Sequence, residues 1–214
     1  MVGHNSIIRG DGKISLDGKT NAKAYDAMAS EYDEQLMTWG YEAPVQAVRL
    51  LAKFLPAFKT AEILDCGCGT GMNGAALRAA GARGMLTGLD VSEASLEIAG
   101  AKKVYDKLTT ADLNQPLVID DNSVDGVLCV GVLTYVHEER LLREWKRVIK
   151  SGGVVVFTSR TDFFESRKFS DTLAVLEAQG NWSNLHISAR MPYLANHPEF
   201  ADDIQVIYAV CRIG

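Results

Sequence analysis

Three acidic residues and a run of glycines carry the chemistry that this chain can do. The segment Ile63-Leu64-Asp65-Cys66-Gly67-Cys68-Gly69-Thr70-Gly71-Met72-Asn73-Gly74 passes from an apolar stretch straight into a glycine-rich turn. Glycines allow a sharp turn and let a ligand lie against bare main chain. A helix opening just after the turn would aim its first amides at the same ligand. Asp90 follows the next apolar stretch, and Asp112 follows the third, within Ala111-Asp112-Leu113-Asn114. A carboxylate at Asp90 can accept hydrogen bonds from both hydroxyls of a ribose. One at Asp112 can accept from an adenine amino group, with Leu113 against the ring. Asp65 adds a third acid at the mouth of the first stretch. The spacing describes a nucleoside site with negative walls, which repel a pyrophosphate and attract a cation.

These residues need elements to hold them, and the hydrophobic pattern supplies those elements. Ala61–Cys66, Met85–Leu89, Lys103–Leu108, Val124–Val130 and Val154–Thr158 read as strands. Met72–Ala80, Ser92–Ala99, Glu138–Ile149 and Phe163–Gln179 read as the helices between and after them. Two more strands, Ile187–Arg190 and Ile204–Arg212, close the chain as an antiparallel hairpin. Strands alternating with helices predict an α/β fold with a mostly parallel sheet covered on both faces. Ligands of such sheets bind at the carboxyl ends of the strands, where the three acids fall. Before the first strand, residues 21–58 read as helical, with Val45, Val48, Leu51, Ala52 and Leu55 at helical spacing. Residues 1–20 are rich in Gly, Asn, Ser and Asp, and are expected to be mobile or to form a cover that orders on ligand binding. The expected organisation is a flexible segment, 1–22, and one domain, 23–214.

Bulk composition narrows the function classes. The chain has 214 residues, 47% of them hydrophobic, and a formal net charge of −5. An acidic chain without a Lys/Arg cluster disfavours a nucleic-acid partner, whose phosphates must be neutralised. No stretch reads as a membrane anchor or a secretory leader, so a cytoplasmic location is expected. Cys66, Cys68, Cys129 and Cys211 include no Cys-x-x-Cys pair and read as free, apolar thiols. His4, His137, His186 and His197 lack metal-ligand spacing, so no metal is expected.

S-adenosylmethionine carries a sulfonium and an α-ammonium and no phosphate, so negative walls suit it. The motifs Leu64-Asp65-Cys66-Gly67-Cys68-Gly69-Thr70-Gly71, Asp90 and Asp112 resemble those of class I S-adenosylmethionine-dependent methyltransferases. The resemblance spans roughly residues 23–212. Tyr25-Asp26-Ala27-Met28-Ala29-Ser30-Glu31-Tyr32-Asp33 and Tyr41-Glu42-Ala43-Pro44 are similar to the methyltransferase-like proteins named after the Williams–Beuren syndrome chromosome region and their bacterial relatives. The resemblance implies a doubly wound, Rossmann-like seven-stranded sheet of order 3-2-1-4-5-7-6, its last strand antiparallel, with an N-terminal helical lid. It implies that Gly67, Cys68, Gly69 and Gly71 lie under the methionine part of the cofactor, with Asp65 near its ammonium. Asp90 would hold the ribose, with Val91 beside the adenine that Asp112 and Leu113 also meet. Val130 and Gly131 would end the fourth strand beside the sulfonium, and Tyr25 and Tyr32 would belong to the lid. S-adenosylhomocysteine would be the product.

The loop after the fourth strand, Gly131–His137, faces the active site in such a sheet. Tyr135 and His137 are therefore candidates to touch the methyl acceptor, with His137 as a candidate base. The loop lacks an Asn/Asp-Pro-Pro-Tyr sequence, which disfavours exocyclic and side-chain amides as acceptors. Trp39, Trp182 and Tyr193 could line an acceptor pocket. The absence of an added substrate domain favours a small-molecule acceptor. Two other readings stay open. Gly69-x-Gly71-x-x-Gly74 with Asp90 matches the spacing of an NAD(P)-dependent Rossmann oxidoreductase, and the chain could bind S-adenosylmethionine without turning it over.

Overall fold

Apolar residues alternate along the central strands, and the two sets go to opposite faces of the sheet. In the computed structural model, which describes residues 16–199, 201 and 203–214, strand β1 is Ile63–Cys66, β2 Leu86–Asp90, β3 Lys107–Thr110, β4 Val124–Cys129 and β5 Ile149–Arg160. The C-terminal strands are β6 Trp182–Ile187, β7 Met191–Pro192 and β8 Gln205–Ile213. The sheet runs β3-β2-β1-β4-β5-β8-β6, with the two-residue β7 also paired to β8. The first five strands are parallel to one another, and β8 is antiparallel to β5, β6 and β7. This is the Rossmann-like order expected, with β8 as its antiparallel strand. The sixth strand lies at Trp182–Ile187 rather than Ile187–Arg190, because Trp182 drops into the core opposite Ile213.

Eight helices of the described residues cover this sheet: α1 Gly18–Asp26, α2 Ala29–Thr38, α3 Ala43–Phe54, α4 Met72–Ala79, α5 Glu93–Ala101, α6 Glu138–Val148, α7 Thr161–Ser166 and α8 Phe169–Ala178. Val155 and Phe157 of β5 enter a core with Trp145 and Phe169 from α6 and α8. Val154 and Val156 enter the opposite core with Leu51 and Leu77 from α3 and α4. The stretch expected as one helix over Phe163–Gln179 is broken at Lys168, whose left-handed backbone (φ 50°) turns the chain between α7 and α8. The expected helical stretch 21–58 becomes α1, α2 and α3.

Residues 1–15 of the expected flexible segment, and His4 with them, lie outside the described residues. From Gly18 the chain is helical. Asp17 caps α1 by accepting from the Thr20 N–H at 3.0 Å. The lid helices α1 and α2 lie across the carboxyl ends of the strands and contact α5. Asn114, buried just after β3, ties this region together. Its side chain donates to the carbonyls of Leu16 (3.0 Å) and Tyr135 (3.3 Å) and accepts from the His137 N–H (2.8 Å). One amide thus joins the lid's approach, the loop after β4 and the start of α6.

Replacing Asn114 leaves those main-chain groups without their partner. The expected effect of Asn114→Ala is a loss of about 2 kcal/mol, or about 4–8 °C in the unfolding midpoint for a chain of this size. Calorimetric melting of the two proteins measures it, and an unchanged midpoint refutes the role given to Asn114.

Candidate functional site

The glycine turn between β1 and α4 works as the sequence requires. Gly67 has φ 78°, and a Cβ placed on it would lie 2.2 Å from Cγ2 of Val132. Only glycine satisfies both the left-handed backbone and this close approach. Asp90, at the end of β2, accepts from the Gly69 N–H at 2.8 Å and from the Ser92 N–H at 2.9 Å. Burial pushes its carboxyl up from the ordinary carboxylate range, while the N–H groups of Ser92, Gly69 and Val91 pull it down. Asp112 accepts from the Asn114 N–H at 2.9 Å. It also meets the first residue of the lid, since a Cβ on Gly18 would lie 2.6 Å from Asp112 Oδ2.

These residues surround a cleft of about 760 Å³. Of the residues expected to hold a cofactor, Tyr25, Tyr32, Gly67, Gly69, Asp90, Val91, Asp112, Leu113, Val130 and Gly131 line it, and so does Tyr135. Its described lining carries two carboxylates, Asp90 and Asp112, and neither Lys nor Arg. A second cleft of about 710 Å³ shares Tyr25, Tyr32, Gly131, Val132 and Tyr135 with the first. Trp39 and Tyr193 line this second cleft, whereas Trp182 is buried in the core below β6. Gly131 marks the junction: a Cβ there would lie 2.9 Å from the Tyr193 hydroxyl and 3.3 Å from the Tyr41 hydroxyl. Its N–H donates to Thr158 Oγ1 at 2.8 Å.

Four expected site residues line neither cleft. Asp65 is buried behind the glycine turn, where it accepts from Tyr105 Oη (2.5 Å) and Asn73 Nδ2 (3.0 Å). Tyr105 Oη in turn accepts from the Gly74 N–H at 2.9 Å, so Asp65 braces the turn from beneath. Burial pushes its carboxyl up to about 7, against the pull of those two donors and with a push from Asp90. Cys68 faces β2, its sulfur 2.8 Å from where a Gly88 Cβ would be, and burial holds its thiol protonated. Gly71 caps α4 and packs toward Ala99 of α5. His137 is exposed, because a short 3-10 turn, Leu133–Tyr135, directs Tyr135 inward and leaves His137 outside as the first cap of α6.

Two acids that sequence reasoning left inside a quoted motif close the lid. Asp26 accepts from Ser92 Oγ at 2.5 Å and from the Ala94 N–H at 3.3 Å, at the amino end of α5. Asp33 accepts from the Thr70 hydroxyl on the glycine turn and pairs with Lys102 at the far end of α5. The repeat Tyr25-Asp26 and Tyr32-Asp33 is the signal: each tyrosine faces the cleft and each following acid latches outside it. Arg160, which lines the second cleft, was also missed, although it ends a parallel strand as the expected acids do.

A family described as "Methyltransferase domain" matches residues 64–157. Human methyltransferase-like protein 27 is 37% identical over 166 residues, covering 75% of this chain and 67% of that protein. The demethylmenaquinone methyltransferase of Tropheryma whipplei strain Twist is 30% identical over 159 residues, covering 72% of this chain and 64% of its own length. The chain thus spans about two thirds of the length of these curated relatives. The structure of an S-adenosylmethionine-dependent methyltransferase from Mesorhizobium loti superposes with a TM-score of 0.59, at 22% identity, over 77% of this chain and 96% of that one. That likeness shows the shared fold.

The raised carboxyl of Asp65 gives stability a pH dependence of known sign. Folded Asp65 keeps its proton up to about pH 7, whereas the unfolded residue loses it near pH 4. Its protonation therefore favours the folded state, fully so below about pH 4, and that contribution is lost as the pH rises to about 7. Relative to Asp65→Asn, the native protein should lose about 3 kcal/mol of stability between about pH 5 and about pH 8. Urea titrations at several pH values measure the difference, and parallel pH profiles refute the assignment.

Proposed function

This chain belongs to the class I S-adenosylmethionine-dependent methyltransferases, and on that premise we propose that it methylates a small-molecule acceptor held in the cleft beyond Gly131. One observation carries the placement of the cofactor: the first cleft holds two carboxylates and no cationic side chain among its described lining. The donor set fits S-adenosylmethionine. Asp90 presents acceptors for ribose hydroxyls, Asp112 presents them for an adenine amine, and Val91 and Leu113 offer apolar contact to the ring. Gly67 and Gly69 leave room for the methionine part to lie on the main chain. A dinucleotide would bring phosphates to a cleft whose described lining offers no counter-charge, which disfavours the oxidoreductase reading.

When bound, S-adenosylmethionine supplies a methyl carbon activated by its sulfonium, and the C–S bond gives its electron pair to sulfur as the acceptor's bond forms. The protein's part is to align and to exclude water. Asp26 and Asp33 hold α1 and α2 down on α5 and on the glycine turn, beside the cleft that Tyr25 and Tyr32 line. Gly131, flanked by the hydroxyls of Tyr41 and Tyr193, marks where the two clefts meet. Burial raises the phenols of Tyr25, Tyr32, Tyr41, Tyr135 and Tyr193, so they remain hydroxyls and act as hydrogen-bonding walls rather than bases. Tyr135 therefore shapes the acceptor's seat, and His137, outside both clefts, takes no proton from it.

Enclosure beneath helices supports a low-molecular-weight acceptor rather than a polymer, whose chain needs an open groove. No helix among the described residues is long and apolar enough to cross a membrane.

Calorimetric titration with S-adenosylhomocysteine tests the cofactor placement. Asp90→Asn should weaken binding about tenfold to a hundredfold, the worth of a hydrogen bond to a charged group, and NAD(P) should not bind. Incubating the protein with radiolabelled S-adenosylmethionine and a fractionated cell extract tests the acceptor. Label should appear in the low-molecular-weight fraction; label confined to protein or nucleic acid overturns the small-molecule reading.

A further inference from the structure

Two phenols meet where the clefts join. Tyr41 lines the first cleft and Tyr193 the second. Their hydroxyls converge on Gly131, at 3.3 Å and 2.9 Å from the position a Cβ would take there. The rings stand edge-on, with centroids 5.2 Å apart and planes at 83°. Tyr41 comes from the loop between α2 and α3, and Tyr193 directly follows β7. Main-chain bonds fix where each side chain leaves the backbone. The Tyr41 N–H donates to the Leu36 carbonyl at 3.0 Å, and the Tyr193 N–H to the Ile204 carbonyl at 3.0 Å. Both rings also pack on the core that α3 and α4 share with the sheet. Two segments far apart in sequence thus deliver one hydroxyl each to the same point. Gly131 makes room for them. Its φ of 76° is left-handed, and a side chain there would strike both oxygens.

The two hydroxyls hydrogen-bond to each other. A phenol hydroxyl has one proton and two lone pairs. Whichever phenol donates, lone pairs remain on both oxygens at the boundary of the clefts. A methyl group on a sulfonium has polarised C–H bonds, which act as weak hydrogen-bond donors to oxygen. An apolar wall would enclose such a methyl group without orienting it, whereas oxygens on one side give it a direction. We propose that Tyr41 and Tyr193 are positioning residues for the methyl group, and that their oxygens accept its C–H contacts at Gly131 and so favour the methylated cofactor over the demethylated product. The inference rests on the methyltransferase reading and deepens it. The carboxylates of the first cleft favour any cationic ligand there. The hydroxyl pair adds a preference that depends on what the sulfur carries.

The test titrates S-adenosylmethionine, S-adenosylhomocysteine and sinefungin, which carries an amine in place of the sulfonium methyl, by calorimetry. Tyr41→Phe and Tyr193→Phe each keep the ring and its packing and remove one oxygen. The native protein should bind sinefungin about tenfold to a hundredfold more tightly than S-adenosylhomocysteine, the worth of a hydrogen bond to a charged group. Each single variant should lose part of that preference and the double variant most of it. The double variant should also bind S-adenosylmethionine about twofold to fivefold more weakly, the worth of a C–H···O contact. Its affinity for S-adenosylhomocysteine should stay unchanged, which shows that the first cleft is intact. A sinefungin preference that survives in the double variant, or an equal loss for all three ligands, overturns the role. So does equal binding of sinefungin and S-adenosylhomocysteine by the native protein. The proton resonance of a carbon-13-labelled methyl group in bound S-adenosylmethionine gives a second reading. It should lie further downfield in the native protein than in either single variant, and identical resonances overturn the contact. Failure of the native protein to bind any of the three ligands strikes instead at the placement of the cofactor.

Discussion

The pair of hydrogen bonds received by Asp90 is the interaction on which the site depends. One comes from Gly69 in the turn after β1, the other from Ser92 at the cap of α5. Two turns that are distant in sequence are thereby fixed around one carboxylate. The bonds also make its burial tolerable, because a carboxylate taken from water without donors is costly. The desolvation that remains still lifts its carboxyl above the ordinary range. Part of that cost is repayable by a ligand with hydroxyls or positive charge, so the folded protein carries a built-in preference for such ligands.

The same economy of acids extends outward. Ser92 caps α5 through the Ser95 N–H and also donates to Asp26 of the lid. Asp26 therefore sits at the positive end of a helix, where a carboxylate is favoured. Asp33 bridges the glycine turn and the far end of α5 through Thr70 and Lys102. The lid is thus latched to the two elements that Asp90 has already tied together, and its tyrosines are carried over the cleft as a consequence. Tyr25 packs edge-on against both Tyr32 and Tyr135, which links the lid to the loop after β4.

Much of this was legible in the sequence because it is local. Glycine turns, strand-end acids and apolar strands are set by neighbouring residues, and ten of the thirteen expected cofactor contacts fall in one cleft. The expected residues that fall outside the clefts share a cause. Asp65 and His137 were placed by sequence position relative to a strand end, but side-chain direction depends on packing that only the folded chain defines. Asp65 turned back because Tyr105 and Asn73, from β3's approach and α4, offered buried donors. His137 turned out because Asn114, from beyond β3, holds its main chain. The break in the expected long helix at Lys168 is a similar case, since its composition carried no glycine or proline to mark it.

The second cleft was least legible for a physical reason. Its walls come from the lid, the loop after β4, the end of β5 and the segment around Tyr193, so no contiguous motif describes it. The charge on the two clefts is nevertheless ordered. Among the described residues, the first cleft is lined by two carboxylates and no Lys or Arg, and the charged residue lining the second is Arg160. In a site with low-dielectric walls, such a partition acts over several ångströms. It favours a cationic ligand in the first cleft and penalises an anionic one there. The two clefts meet only at the shared boundary around Gly131, which is where the proposed methyl transfer has to take place.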